Sequence, residues 1–217
     1  MPRDFMGQVS ANLYDASRLT FQPDEIISPL LLNVWKKEFA ETNSSEWKRL
    51  ALFRSLEMAY QATSLPSNSR YTMYDFGPRI ALWVSAFEVL IHPGRKKPNK
   101  KREQANIEKV TKLLKEASWC DARLRRRAYL IWIERGKTER VNLILKLYRE
   151  LYDARNDFLH GNRVVHSRLF CFRNERRRSL IEIAPVLYKV ALSCFFRKIG
   201  DRCAIENALL ATLVDRK

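Results

Sequence analysis

Apolar residues recur at intervals of three and four along most of the chain, a spacing that is typical of amphipathic helices. The predicted helices span residues 26–40, 43–64, 76–91, 103–117, 122–134, 138–160, 179–199 and 201–214. Only 6 glycines and 8 prolines occur in 217 residues, which leaves little material for the tight turns of an all-β fold. We therefore expect an all-α fold, with an irregular N-terminal arm over residues 1–25 and a single helical domain over residues 26–217.

Local signals mark several of the helix ends. Asn43-Ser-Ser-Glu46 and Ser179-Leu-Ile-Glu182 both have the pattern of a capping box. Pro78 is expected in the first turn of its helix, and Pro185 is expected at a kink or at the true helix start. Residues 163–178 are basic and irregular in pattern, with a candidate extended stretch at residues 169–172.

The charge balance favours an anionic partner. The chain has 40 Lys and Arg against 24 Asp and Glu, a net charge of +16 and a pI near 10.0. A field of this sign attracts polyanions, and nucleic acid is the commonest polyanion in a cell. A generally basic, solubilising surface is the simpler alternative. The candidate phosphate-binding side chains are Arg95, Lys96, Lys97, Lys100, Lys101, Arg102, Arg163, Arg173, Arg176, Arg177 and Arg178.

The scattered cysteines do not favour a metal centre. Cys120, Cys171, Cys194 and Cys203 form no Cys-x-x-Cys pair, and only three histidines accompany them. We expect reduced thiols, no metal and no cofactor. Because polar sequence follows Met1 and the apolar stretches are shorter than a membrane span, we also expect a cytoplasmic protein without a membrane partner.

The predicted helix from Thr138 to His160 carries an unusual pair of polar residues. Its expected buried stripe consists of Val141, Ile144, Leu145, Tyr148, Leu151, Tyr152 and Leu159. Arg155 falls on this stripe, where an unpaired guanidinium is costly to bury. A structural ion pair, or a side chain that extends to water, is the alternative to a functional role. His160 ends the helix directly before Gly161, which is suited to a left-handed cap.

Arg155, Asn156 and His160 combine complementary chemical properties. Arginine offers a fixed fork of donors for a phosphate, and histidine exchanges a proton near neutral pH. Asn156 precedes His160 by four residues, so the two side chains share a helix face and are candidates for a hydrogen bond. Glu88 is a candidate partner that orients Arg155, and a solvated helix glutamate is the alternative.

Arg155-Asn-Asp-Phe-Leu-His160 resembles the Arg-x4-6-His signature of the HEPN superfamily. Leu151-Tyr-Asp-Ala-Arg-Asn156 and the trailing His-Gly look like the ApeA-like branch of that superfamily. The segment Ala81-Leu-Trp-Val-Ser-Ala-Phe-Glu-Val-Leu90 is similar to an earlier helix of the branch, in which a Glu comparable to Glu88 recurs. The resemblance covers about half of the chain, from Phe76 to Ile199.

The resemblance implies an up-and-down helical bundle with a core at about residues 76–200 and additional N- and C-terminal helices. It further implies a metal-independent endoribonuclease in which His160 handles the proton of a ribose 2′-hydroxyl and Arg155 steadies the scissile phosphate. The products would carry 2′,3′-cyclic phosphate and 5′-hydroxyl ends. Proteins of this kind act in bacterial antiphage defence and toxin systems, so an antitoxin or defence-system partner is a further expectation.

The helix geometry adds a constraint on this site. Five residues of an ideal helix turn ~500°, so Arg155 and His160 point ~140° apart. We therefore expect either a distorted last turn or a groove that a second surface completes. HEPN proteins commonly dimerise through the motif helices, so the resemblance implies a homodimer with a composite site.

Two other functions remain open at this point. The first is a catalytically inactive HEPN module that binds RNA or a partner protein. The second is a basic DNA-binding protein, although a short helix-turn-helix with a clear recognition helix is not evident in the sequence.

Overall fold

Six helices and one two-stranded hairpin make up the described part of the protein. The computed structural model describes residues 27–37, 47–65, 73–92, 107–115, 129–132 and 138–198. The helices are α1 (Ile27–Trp35), α2 (Trp47–Ser64), α3 (Met73–Leu90), α4 (Ile107–Lys115), α5 (Leu143–Leu159) and α6 (Leu180–Lys198), and the strands are β1 (Tyr129–Trp132) and β2 (Thr138–Val141). The predicted all-α class is confirmed, with this hairpin as its exception. The N-terminal arm at 1–25, the capping box at 43–46 and the helix at 201–214 lie outside the described residues.

The hairpin corrects the sequence prediction in two places. Residues 129–132 and 138–141 were expected in helices, but they pair as antiparallel strands with Tyr129 opposite Val141 and Trp132 opposite Thr138. β1 consists of Tyr, Leu, Ile and Trp, which are aromatic, β-branched or bulky residues that suit a pleated, half-buried surface. A short apolar run of this kind has no distinctive period, so pairing with β2 decides its structure.

The next helix consequently begins later than predicted, at Leu143 rather than at Thr138. The Asn142 side chain accepts a hydrogen bond from the backbone N–H of Leu145 at 2.8 Å, and Asn142 itself has an extended backbone. This is the geometry of a helix N-cap, which satisfies one of the free N–H groups of the first turn.

Helices α2 and α3 form an antiparallel pair with an extensive contact. Ser55 in the middle of α2 donates to the carbonyl of Ala86 in the second half of α3. Arg79, near the start of α3, donates to the carbonyl of Leu65, which follows the end of α2. The two contacts advance along the helices in opposite directions, so the helices run antiparallel.

Helices α5 and α6 close the core around α3. The ring of Phe87 lies 4.9 Å from the ring of Tyr148 on α5 and 5.5 Å from the ring of Tyr188 on α6. Near the other end of α3, a Cβ added to Gly77 would meet the Phe158 ring of α5 at 3.1 Å. Gly77 therefore permits the close approach of α3 and α5, the two helices that carry Glu88 and Arg155.

The ends of α3 and α6 differ in part from the predictions. The capping box of α6 is confirmed, because the Glu182 N–H donates to Ser179 Oγ and the Ser179 N–H donates to Glu182 Oε2, both at 3.3 Å. Pro185 lies inside α6. Pro78 also lies inside its helix, because α3 begins at Met73 rather than at Phe76.

Short 3-10 helices at His166–Leu169 and Cys171–Arg173 occupy much of the segment that was predicted to be irregular.

None of the helices within the described ranges is long and apolar enough to span a bilayer.

A buried hydroxyl pair joins three helices and allows a test of the packing. The oxygen of Ser55 lies 2.6 Å from the Tyr188 hydroxyl and 2.6 Å from the carbonyl of Ala86. Ser55→Ala leaves both of these buried groups with one partner fewer, so we expect the free energy of unfolding to fall by about 1–3 kcal/mol. Urea denaturation measures the loss. Thr63→Ala, at an exposed hydroxyl of the same helix, should change stability by less than about 0.5 kcal/mol.

Candidate functional site

The C-terminal end of α5 is closed by a Schellman motif. Gly161 has a positive φ of 66°, its N–H donates to the carbonyl of Phe158, and the N–H of Asn162 donates to the carbonyl of Asp157. His160 is the C-cap residue and its side chain is exposed. The predicted left-handed cap at Gly161 is thus confirmed. It holds the imidazole at the surface, at a rigid and well-defined helix end.

The buried stripe of α5 follows the prediction except at its end. Ile144, Leu145, Tyr148 and Leu151 are buried, and Tyr152 is half-buried against the core, while Val141 is also buried but belongs to β2. The prediction for Leu159 is wrong, since 59% of this residue is exposed. Phe158 in the last turn of α5 still packs against α3, but Leu159 beside it faces away from the core and lies at the surface.

Arg155 lies where this stripe passes from the core to the surface. Its Nη2 atom is 3.7 Å from Oε2 of Glu88, and the two side chains are 22% and 18% exposed. Its Nη1 atom donates to Oδ1 of Asn156 at 3.2 Å, and its guanidinium carbon is 5.6 Å from the centre of the Tyr152 ring. The expected contact between Glu88 and Arg155 is present, and it joins α3 to α5.

Burial perturbs the acidic groups around this arginine. It raises the pKa of Glu88 above its ordinary value, although the charge of Arg155 acts in the opposite direction. Burial also raises the pKa of the fully buried Tyr148 well above its ordinary value, and the charge of Glu88 adds to that effect. Perturbed carboxyl groups are enriched at functional sites, although structural ion pairs also produce them.

Two buried polar atoms at this cluster have no hydrogen-bond partner among the described residues. They are the hydroxyl of Tyr148 and Nε of Arg155. A buried donor without a partner costs about 1–3 kcal/mol, so such atoms are uncommon in native cores. Clusters that depart from the general packing rules in this way are concentrated at functional sites.

Glu88→Gln separates the structural role of the ion pair from its functional role. A carboxyl group whose pKa is raised by folding stabilises the fold below its unfolded-state pKa, and this contribution is lost as the pH rises through the raised value. The neutral amide avoids that loss. We therefore expect the stability of the variant relative to the parent to rise as the pH increases above the ordinary glutamate pKa of 4.5, as measured by urea denaturation.

Any activity that depends on the position of Arg155 should respond in the opposite sense. An amide holds Arg155 less firmly than a carboxylate does, and a misplaced functional group of this kind costs about 10²-fold in rate. Glu57→Gln, at an exposed position of α2, is the control and should behave like the parent in both measurements. A Glu88→Gln variant that loses stability towards pH 7 would contradict the prediction, because attraction to Arg155 would then outweigh the cost of burial.

His160 and Arg155 remain separate within one copy of the chain. Among the described residues, no hydrogen bond or ion pair links the imidazole to Arg155 or to the side chain of Asn156. The last turn is a regular Schellman end, with the His160 N–H donating to the carbonyl of Asn156 at 2.9 Å. The expected side-chain bond between Asn156 and His160 is therefore not formed, and Asn156 contacts Arg155 instead.

The candidate phosphate-binding residues fall into two groups. The loop residues Arg95, Lys96, Lys97, Lys100, Lys101 and Arg102 lie outside the described residues. In the second group, Arg178 is half-buried and the others are exposed, namely Arg163, Arg173, Arg176 and Arg177. These side chains follow α5 directly, so they lie on the segment that leaves the His160 end of the helix.

The thiols and acidic residues do not form a metal site in the part of the chain that the structure describes. No group of three His, Cys, Asp or Glu side chains is arranged to hold an ion there. Cys171 and Cys194 are buried and unbonded to each other, and burial raises the pKa of Cys171 to about 12. A thiol with so high a pKa is a poor nucleophile at neutral pH. Cys120 and Cys203 lie outside the described residues.

Comparison with known proteins yields no relative. No protein-family model, no curated protein and no solved structure matches this chain.

Proposed function

We propose that the protein is a metal-independent endoribonuclease of the HEPN type. The observation that carries the proposal is the ion pair between Arg155 and Glu88, which holds a guanidinium at the surface end of an otherwise apolar stripe. His160 lies five residues further on, at the capped end of the same helix. One helix thus presents a guanidinium suited to a phosphate and an imidazole suited to proton transfer.

The chemistry follows from these two side chains and from the ribose. Neutral His160 accepts the proton of a 2′-hydroxyl as its oxygen forms a bond to the adjacent phosphorus. The bond between phosphorus and the 5′-oxygen breaks, and the leaving oxygen takes up a proton. Arg155 stabilises the negative charge that accumulates on the phosphoryl oxygens. The products are a 2′,3′-cyclic phosphate and a 5′-hydroxyl, and DNA, which lacks the internal nucleophile, is not a substrate.

A homodimer with a composite site is part of the proposal. The regular end of α5 leaves Arg155 and His160 ~140° apart, so one copy presents them on different sides of the helix. Leu159 is a large apolar residue that lies close to the direction of Arg155, and it is exposed. An apolar side chain beside a functional arginine favours a contact with a second surface. A second copy of α5 would cover Leu159 and complete the groove between the two groups.

A catalytically inactive HEPN module that binds RNA or a partner protein is the second candidate. One observation favours it. Both terminal nitrogens of Arg155 already have partners within the chain, Asn156 and Glu88, which also suits a purely structural arginine. In either case we propose a cytoplasmic protein of an antiphage defence or toxin system, with RNA as its ligand and an antitoxin or defence component as a further partner.

Incubation of the purified chain with mixed RNA and a chelator tests the proposal. We expect endonucleolytic cleavage without added metal, and no cleavage of single-stranded DNA of matched sequence. RNA that stays intact while still binding to the protein would support the inactive module. Cleavage of both polymers at equal rates would contradict the role of the 2′-hydroxyl.

A further inference from the structure

A second site lies on a different face of α5 from Arg155. An open cavity of about 480 Å³ is bounded by β1, α5 and the segment after α5, and this volume is in the range of small-molecule sites. Trp132 and Phe172 line it, and both are exposed, Trp132 to 73%. Exposed aromatic rings in a cavity are unusual unless they contact a ligand, because water covers them at a cost.

The turn that carries Phe172 is held in an uncommon backbone conformation. Phe172 and Arg173 have φ values of 59° and 54°, and no other non-glycine residue in the described ranges has a positive φ. The buried carboxylate of Glu150 accepts a hydrogen bond from the Phe172 N–H at 2.8 Å, and the Phe172 ring stacks on Tyr129 at 5.6 Å. Strain of this kind persists only where the surroundings enforce it, and it is concentrated at binding sites.

The cavity is cationic. Four basic side chains and two acidic ones line it, and the acidic pair is Glu150 and Asp153. Both acids already have cationic neighbours, with Lys146 at 3.4 Å from Glu150 and Arg149 at 3.9 Å from Asp153. The net charge of the lining is therefore positive.

Two arginines of the lining have different roles. Arg168 is held by Asp157 at 2.8 Å and Asp153 at 3.9 Å, so it stiffens the wall. Arg173 is exposed and forms no ion pair within 4 Å with any residue that the structure describes, although burial raises the pKa of the nearby Asp153 and the charge of Arg173 acts in the opposite direction. Its guanidinium is therefore available to a phosphate.

We propose that this cavity is a subsite for one nucleotide of single-stranded RNA, whose unpaired base stacks on Trp132 and Phe172 while Arg173 holds a neighbouring phosphate. Aromatic platforms combined with cationic walls bind unpaired nucleotides, since every base offers a flat face for stacking. A duplex does not fit, because its bases are already stacked on one another. The inference rests on the proposed function, because it names the part of the RNA that the enzyme would hold away from the scissile bond.

The position of the subsite on α5 agrees with that role. On an ideal helix, Arg149 and Asp153 lie within ~20° of the direction of His160, and Asp153 precedes His160 by about 10 Å along the axis. A strand that occupies the cavity and follows this face of α5 therefore reaches His160. Arg155 lies on another face, which is the face assigned above to the second copy.

Binding of fluorescein-labelled oligouridine to His160→Ala protein, measured by anisotropy over a series of KCl concentrations, tests the subsite without cleavage of the probe. In this background Trp132→Ala should weaken binding about 5- to 150-fold, as expected for the loss of one stacked base, without changing the salt dependence. Arg173→Ala should weaken binding and reduce the slope of log K against log[salt] by about 0.7.

Matched variants separate stacking from other causes. Trp132→Tyr should retain most of the affinity, whereas Trp132→Leu, which keeps apolar area but has no ring, should lose it. Tyr60→Ala and Arg54→Ala remove an exposed ring and an exposed charge from α2 and should bind like the background protein. Circular dichroism confirms that each variant is folded, which is expected because Trp132 is largely exposed.

Three results with RNA would overturn the subsite. They are unchanged affinity in both Trp132→Ala and Arg173→Ala, full affinity in Trp132→Leu, or an equal loss of affinity for duplex RNA and for oligouridine. Trp132-dependent binding of oligoglutamate with unaffected RNA binding would also overturn it, in favour of an acidic peptide. If the subsite fails while wild-type protein still cleaves RNA, the proposed function stands. If the subsite variants lose affinity for oligouridine but the wild-type protein cleaves no RNA, the subsite stands and only the proposed function fails.

Discussion

Replacement of His160 by alanine is expected to reduce RNA cleavage by about 10²- to 10⁴-fold, the usual contribution of a general base. The side chain is exposed at a helix C-cap and has no hydrogen-bond or ion-pair partner among the described residues, so its removal should leave the fold intact. Initial rates on a fluorogenic RNA measure the loss, and far-UV circular dichroism with thermal unfolding checks the fold.

The matched control is His166→Ala. His166 is also exposed, and its Nδ1 atom lies 3.1 Å from Oε1 of Glu175, in the segment after α5. We expect this variant to cleave RNA at the rate of the parent. Equal rates for the parent, the His160 variant and the His166 variant would contradict the assignment of His160.

Arg155→Ala should lower the rate by about 10²- to 10³-fold, through the loss of charge stabilisation in the transition state. Arg155→Lys keeps the charge but not the paired donors, so it should restore only part of the rate. Arg149→Ala removes the same charge from another face of the same helix. It should weaken RNA binding more than it lowers the cleavage rate of bound RNA. If Arg155→Ala cleaves RNA like the parent, the assignment of Arg155 is wrong and its ion pair with Glu88 is purely structural.

Leu159→Glu is expected to convert a dimer into a monomer and to abolish most of the cleavage. If a second copy covers Leu159, the substitution places a charge in an apolar contact, which is costly without a partner. A central contact residue commonly contributes about 2 kcal/mol or more to the free energy of association, and losing that amount raises the dimer dissociation constant at least about 30-fold. Analytical ultracentrifugation measures the association, and the specific activity of the parent should fall on dilution through the dimer dissociation constant.

Leu32→Glu is the control for a charge placed at an exposed leucine. Leu32 lies on α1 and is 52% exposed, similar to Leu159. We expect it to change neither the association state nor the rate. A parent protein that is monomeric at micromolar concentration and cleaves RNA at its full rate would exclude the composite site.

Local patterns account for the elements that the sequence predicted well. The capping box at Ser179, the cap at Gly161 and the apolar face of α3 depend on residues within a few positions of one another. Such signals act over one or two turns, so they can be read from a single chain. The contact of Glu88 with Arg155 was one of two possibilities that the sequence left open, the other being a solvated glutamate, and the packing of α3 against α5 decides between them.

The hairpin and the end of α5 depend on contacts between distant parts of the chain. Asn142 is a cap residue that falls inside the predicted helix 138–160, so it was a sign that this helix begins later. Helical spacing obscured that sign, because Val141 fits either a strand or the stripe of α5. Leu159 is exposed because none of the described elements covers its side of the last turn, which a periodic pattern cannot reveal.

The nucleotide subsite could not be predicted from the sequence, because its parts come from three segments. Trp132 fell within the predicted helix 122–134, and Arg173 was one of many candidate phosphate contacts. Only the pairing of β1 with β2 and the strained turn at Phe172 bring the ring and the charge into one cavity. The spacing of Lys146, Arg149 and Asp153 on one face of α5 was the one local sign of this surface.

Analysis of the product ends tests the central claim most directly. RNA cleaved by the wild-type chain in the presence of a chelator should carry 2′,3′-cyclic phosphate and 5′-hydroxyl ends, and the His160→Ala protein should yield neither. Mass spectrometry of the fragments, with 5′ labelling by a polynucleotide kinase, identifies both ends. Products with 5′-phosphate and 3′-hydroxyl ends would contradict the account, because water rather than the 2′-hydroxyl would then be the nucleophile.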